Sequence, residues 1–283
     1  MRSVLNRHRR RDDWFLDEYS VNPYYGCPLS CVYCYTRGTK YGSRRPEVRA
    51  KVNAPEVLAR QLRAEARAGR RGFIALGTAT EPYMPAEADL NLTRRCLEVI
   101  SSLRFPVHVL TKSDLVLRDI SLLRRVAERA IRRPDLRGRV EGAVVTVSIS
   151  TLDPEAAGAF EPGAPPPDRR LDVVRRLSKA GLAAGVAFIP VLPGISDGEG
   201  EIDRMVEAAA EVRVSHVFVG ALTVPGAVRR AVEGLISRRF PELLPTYRGL
   251  FSSGPYPPGG YQARLDRMAR EACGRHGVRY MLL

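Results

Sequence analysis

Short apolar runs alternate with amphipathic stretches along this chain, and that alternation limits the fold more than any other feature. Gly72–Leu76, Val107–Leu110, Ala143–Ile149, Ala183–Ile189 and His216–Ala221 are apolar on both faces, as strands covered on both sides are. Helical periodicity fills the intervals at 54–68, 91–103, 114–132, 167–180 and 200–212, with two further stretches at 225–238 and 261–275. Gly69, Pro134 and Gly181 stand where helices stop. Val278–Leu282 reads as a terminal strand, and Gly254–Gly260 is too rich in glycine and proline to be regular. Right-handed crossovers curl such a chain into an α/β fold, a partial (β/α)6 TIM-type barrel of parallel strands. A first strand lies beside the loop at Cys27–Cys34. The expected division is a basic N-terminal tail over 1–19, the partial barrel over 20–222, and a C-terminal extension over 223–283 that covers one edge or one mouth. Arg7 to Arg11 fit a solvated tail or an arm that touches phosphates.

The stretch Asn22-Pro-Tyr-Tyr-Gly-Cys27-Pro-Leu-Ser-Cys31-Val-Tyr-Cys34-Tyr35 holds three of the five cysteines, spaced C-x3-C-x2-C. Three thiolates this close grip one face of a metal centre. Iron–sulfur clusters usually take four cysteines, so three leave one iron open to another ligand. A zinc site completed by histidine is the alternative. Only His8, His108, His216 and His276 could complete it, and none stands at knuckle spacing. Disulfide pairing fits poorly with an odd cysteine count and an N-terminus lacking an apolar secretory segment.

Lysine and arginine total 45 against 31 aspartates and glutamates, a net charge of +14. A nucleic acid is the natural partner for such a surface. Lysine occurs only at Lys40, Lys51, Lys112 and Lys179, so an arginine-rich composition accounts for the same charge. Arg37, Lys40, Arg44 and Arg45 follow the cysteine loop and are the expected phosphate contacts. Arg132, Arg133, Arg137 and Arg139 flank a helix end on the far side. No run approaches the ~20 apolar residues of a membrane span, and a reduced, cytoplasmic setting is expected.

Parallel α/β barrels carry their chemistry at the C-terminal ends of strands, and polar residues gather there repeatedly. Thr78, Thr80 and Glu81 follow one strand, and Thr111-Lys112-Ser113 follows the next. Ser148, Ser150, Thr151 and Asp153 follow another, and Pro190, Pro193 and Gly194 the one after. Ser113 and Asp153 also suit helix caps. Lys112, a rare lysine between two hydroxyls, suits the carboxylate of a bound amino-acid moiety, with a surface lysine as the plain alternative.

These phrases, with Phe160-Glu-Pro-Gly-Ala-Pro165 and Arg169-Arg-Leu171, resemble the spore photoproduct lyase-like branch of the radical SAM superfamily over roughly residues 20–200. The resemblance implies a [4Fe–4S] cluster on Cys27, Cys31 and Cys34, with S-adenosylmethionine on its open iron. An electron donor such as flavodoxin or ferredoxin is implied too. Thr80 and Glu81 match positions that bind the methionine amino group, and Lys112 and Ser148 those near the carboxylate. Tyr33 and Tyr35 match tyrosines beside the cluster and in radical transfer. Where the lyase carries a hydrogen-donating cysteine, this chain has Ala79. Cys96 and Cys273 sit in helical patterns that suit core cysteines. The expected activity is hydrogen abstraction by a 5′-deoxyadenosyl radical from a nucleic acid. The alternatives are a peptide or small-molecule substrate, and a non-catalytic metal-binding nucleic-acid module.

Overall fold

The computed structural model describes residues 1–37 and 47–283. The chain begins with strands β1 (Leu5–Arg7) and β2 (Asp17–Val21), then a small ribbon of β3 (Tyr24–Tyr25) and β4 (Arg49–Ala50). Helix α1 (Ala54–Arg67) leads to β5 (Phe73–Leu76); α2 (Glu87–Leu90) and α3 (Leu92–Ser102) lead to β6 (Val107–Thr111). Helix α4 (Ile120–Arg129) precedes β7 (Ala143–Ser148), and α5 (Pro154–Phe160) and α6 (Pro167–Lys179) precede β8 (Ala183–Val191). Helix α7 (Glu199–Glu211) and β9 (Val217–Ala221) complete the alternation. Beyond it lie α8 (Ala227–Arg239), α9 (Leu244–Leu250) and α10 (Gly259–Arg275).

The main sheet runs β1-β2-β5-β6-β7-β8-β9, parallel throughout except for the antiparallel β1. Six parallel strands with crossover helices form the expected partial barrel. Along each strand the side chains alternate. Val107, Val109, Val145, Val147, Val186 and Val219 pack outward against Leu97, Leu123, Val174, Ile202 and Leu265 of the helices. Each such buried aliphatic side chain contributes about 1.5–3 kcal/mol.

The inward residues form a separate filling. At the N-terminal end, Leu16, Phe73, Val144 and Phe218 close the barrel. Trp14 stacks on Phe218 at 5.9 Å, and Phe15 meets the same ring edge-on at 5.4 Å. Above this plug lies a buried polar chain. His108 Nε2 is 2.7 Å from Thr146 Oγ1, which is 2.8 Å from His216 Nε2. A Cβ on Gly185 would lie 2.3 Å from the His216 ring, so only glycine leaves room for it.

Three expectations change. Residues 1–19 are not simply a tail, because β1 and β2 build one edge of the sheet, Leu5 pairing with Val21 and Arg7 with Tyr19. An edge strand tolerates charged residues on its open side, so the arginine-rich composition hid it. The expected helix over 114–132 is a 3-10 turn (Asp114–Asp119) followed by α4. The break falls at Asp119, whose buried carboxylate is held by Tyr83, Arg94 and Arg118. Val278–Leu282 forms only a bridge, Tyr280 to Val217. Ser113 and Asp153 cap as expected, accepting from Leu115 N, and from Glu155 N and Ala156 N.

Candidate active site

The cysteine loop lies over the C-terminal mouth of the barrel and is fastened from below. Val32 N donates to Phe160 O at 2.8 Å, and Gly163 N to Leu29 O at 3.0 Å. A Cβ on Gly163 would fall 2.8 Å from Leu29 Cα, so glycine permits this approach. Arg37 Nη2 donates to Cys31 O at 3.0 Å and Ser30 O at 3.3 Å. Arg37 therefore braces the loop instead of facing phosphate as expected. Lys40, Arg44 and Arg45 lie outside the described residues. From above, α8 and α9 pack Val228, Val232, Tyr247 and Phe251 into a core shared with Leu29, Cys31 and Tyr33.

Cys27, Cys31 and Cys34 line one wall of a cavity of about 230 Å³. Burial pushes the Cys31 thiol up to about 12 and raises Cys27 as well. Such thiols lose their protons chiefly when a metal cation takes the proton's place on sulfur. Among the described residues no three His, Cys, Asp or Glu side chains close on one point tightly enough for a single metal ion.

The adjoining wall holds Thr80, Glu81 and Lys112, with Tyr33 and Tyr35 beside them, and the Glu81 backbone hydrogen-bonds to Cys27. Gly77 starts this wall with φ +93°, where a Cβ would strike Leu110 O at 2.1 Å. Thr80 Oγ1 is buried and has no hydrogen-bond partner among the described residues. Such an orphan costs about 1–3 kcal/mol unless a ligand satisfies it. Glu81 is largely occupied: it accepts from Lys112 N at 2.8 Å, Tyr83 N at 3.0 Å and the Thr111 hydroxyl. Burial raises its carboxyl, against these hydrogen bonds. Lys112 Nζ donates to Ser148 Oγ at 2.9 Å. An ammonium has three donors, so capacity remains for a ligand carboxylate. Ser148 itself touches Lys112 and Ile189 O and is not part of the lining.

Beneath Lys112 lies an ion-pair cluster that sequence reasoning missed. Glu161, 1% exposed, is 3.8 Å from Lys112 Nζ and forms a salt bridge with buried Arg170. Tyr33 donates its hydroxyl to Glu161, and Arg170 Nη1 donates to Ser148 O at 2.8 Å. Burial alone would raise the Glu161 carboxyl, but the charges of Lys112 and Arg170 hold it below its ordinary value. Burial, and then the Glu161 charge, push the Tyr33 hydroxyl far up. The available signal was that Glu161 and Arg170 stand in two of the phrases quoted above, Phe160-Glu-Pro-Gly-Ala-Pro165 and Arg169-Arg-Leu171. Tyr35, 51% exposed, donates to Thr78 O at the rim. Ala79 lines the cavity; Cys96 and Cys273 lie in the outer helical core, as expected.

Three thiols lining one cavity with an ammonium and an orphaned hydroxyl suit a thiolate-bound cluster and an amino-acid headgroup. The comparisons with known proteins agree in kind. The model of the radical SAM superfamily matches residues 21–206. A protein of Mycobacterium tuberculosis described as uncharacterized is 34% identical over 259 residues, covering 89% of this chain and 72% of its own length. A radical SAM Nα-GlyT isomerase of Pseudomonas phage M6 is 23% identical, covering 87% of this chain and 48% of its own. Spore photoproduct lyase complexed with dinucleoside spore photoproduct superposes with a TM-score of 0.68 at 17% identity, over 97% of this chain and 80% of that one.

Proposed function

The chain belongs to the radical SAM superfamily, and so uses a [4Fe–4S] cluster and S-adenosylmethionine; from that premise we propose that its substrate is a nucleic acid, which it repairs or modifies. Bound together, a [4Fe–4S] cluster and S-adenosylmethionine would supply one-electron reductive cleavage of the sulfonium, to methionine and a hydrogen-abstracting 5′-deoxyadenosyl radical. Family members draw that electron from a donor protein; flavodoxin or ferredoxin is the proposed source here.

Cys27, Cys31 and Cys34 would hold the cluster as thiolates, displacing the protons that burial keeps on Cys27 and Cys31. Lys112 binds the carboxylate of the methionyl moiety through its unused donors, and Thr80 Oγ1 accepts from the amino group. Glu81 fixes the loops that carry both, through Tyr83 N and Lys112 N. Ser148 and Glu161 hold the Lys112 ammonium in place from behind. Tyr33 keeps its proton and braces the cysteine loop on Glu161. Tyr35, at the rim beside Ala79, relays the hydrogen atom that a thiol supplies in the lyase.

The observation that carries the reading is a single cavity lined by the three thiols, Lys112 and the orphaned Thr80 hydroxyl. The +14 charge and the dinucleoside ligand of the lyase neighbour support the substrate class. The test is anaerobic release of 5′-deoxyadenosine from the reduced enzyme with single-stranded DNA, duplex DNA, RNA and peptides. Release above the substrate-free level is expected with a nucleic acid. Release stimulated by peptides or metabolites alone moves the activity to that substrate class.

No helix among the described residues is long and apolar enough to cross a membrane.

A further inference from the structure

The largest concavity among those described, about 740 Å³, opens at the other end of the barrel from the cysteine loop. Its walls come from the β1–β2 connection, the turn before β5 and the segment before β7. Seven arginines line it against three carboxylates. Arg11, Arg70 and Arg133 are partnered by Asp135, Glu65 and Glu18. Arg7, Arg9 and Arg10 are exposed and have no salt bridge among the described residues. Unpaired guanidiniums crowded in a concavity repel one another and suit bidentate phosphate contacts.

This pocket is not isolated. A second groove, about 570 Å³, shares Arg7 and His8 with it. The same groove shares Tyr35, Thr78 and Ala79 with the cysteine cavity. The three concavities therefore follow one another along the β1–β2 edge, a track from the arginines to the candidate active site. Strand β2 has five residues, so the track is roughly 17 Å long at about 3.3 Å per residue.

We infer that the arginine pocket anchors the phosphate backbone of one nucleic-acid strand whose reacting residue lies in the cysteine cavity. The anchor rests on the proposed substrate class and adds where the rest of that substrate lies. A stacked strand advances about 3.4 Å per nucleotide, so bridging the track takes roughly five nucleotides. A dinucleotide can fill the cavity but cannot reach the arginines. An acidic peptide has the right sign of charge, yet its single carboxylates make less use of forked guanidiniums than phosphates do.

The experiment uses the reconstituted holoenzyme and its Arg9→Ala/Arg10→Ala variant, with both substitutions at exposed positions. Binding of a fluorescent single-stranded 12-mer is followed by anisotropy against salt, with polyglutamate as competitor. The expected result is a log–log salt slope shallower in the variant by roughly 1.4, at about 0.7 per phosphate contact. Binding of a dinucleotide should be the same in both proteins. The proposal is overturned by an unchanged slope, by no oligonucleotide binding at low salt, or by equal displacement with polyglutamate. Release of 5′-deoxyadenosine is measured alongside. A slope loss without nucleic-acid-stimulated release keeps the anchor and removes the substrate assignment. Stimulated release with an unchanged slope does the reverse.

Discussion

The two ends of the barrel interior treat polar groups in opposite ways. At the N-terminal end every group of the buried chain has a partner. His108 Nδ1 meets Phe15 O at 3.1 Å, and Thr146 bridges the two imidazoles. His216 Nδ1 meets Ser215 Oγ at 2.8 Å. Aromatic rings seal this chain from water, and burial lowers both imidazoles, His108 to about 4. At the C-terminal mouth the interactions are incomplete: the Cys27 and Cys31 thiols are desolvated, the Thr80 hydroxyl has no partner among the described residues and Lys112 has donors to spare. A finished network stabilises the barrel; an unfinished one is where a ligand supplies the missing partner.

The largest expected effect lies at the mouth. Cys31→Ala should abolish iron uptake on anaerobic reconstitution, from about four irons per chain for a single cubane to background by iron assay. Cys273→Ala, in the helical core, should leave iron content intact. Equal iron in wild type and Cys31→Ala would place the metal elsewhere.

Glu161→Gln comes next, because it leaves Arg170 and Lys112 without their shared counter-charge. Breaking a buried pair from one side costs about 3–5 kcal/mol, which guanidinium denaturation should read as a lower midpoint. A midpoint equal to wild type would mean that the cluster beneath Lys112 is not a structural support.

A smaller effect belongs to the closed end. His108 is neutral when folded, about 4 against 6.5 for the free side chain. The unfolded chain binds the extra proton, so stability is fully present above pH 6.5 and falls as pH drops toward 4. The loss reaches roughly 3 kcal/mol at about 1.4 kcal/mol per unit. His108→Gln should flatten that part of the stability–pH curve relative to wild type, and an unchanged curve would exclude His108 as its cause.

The smallest effect contrasts two threonines. Thr146→Val strands imidazole nitrogens and should cost about 1–3 kcal/mol. Thr80→Val removes a group with no partner, so it should leave the ligand-free melting temperature level or higher, yet weaken S-adenosylmethionine binding by calorimetry. Equal destabilisation by both would erase the contrast between the two ends.

What could be read from the chain follows from how each part is built. The cysteine loop is contiguous, so its spacing alone revealed it. The strands were legible because burial on both faces leaves runs such as Ala143–Ser148 without polar interruption. Thr80 and Lys112 were legible as polar residues at strand ends. Glu161 and Arg170 were not, because Tyr33 and Glu161 meet across 128 residues of sequence, and no local pattern records such a meeting. Strand β1 was hidden because three residues, Leu5-Asn6-Arg7, at an edge need no apolar alternation. The 3-10 turn at Asp114–Asp119 depends on Tyr83 and Arg94 from other segments, so periodicity alone extended the helix through it.

The central claim is that the three-thiol wall holds a cluster whose fourth iron is reserved for S-adenosylmethionine. Electron paramagnetic resonance of the anaerobically reconstituted, reduced protein, with and without S-adenosylmethionine, tests it most directly. The expected result is a reduced [4Fe–4S] signal whose g-values shift when S-adenosylmethionine is added. A cluster signal that S-adenosylmethionine leaves unchanged, or a protein that takes up tetrahedral zinc and no iron, would contradict it.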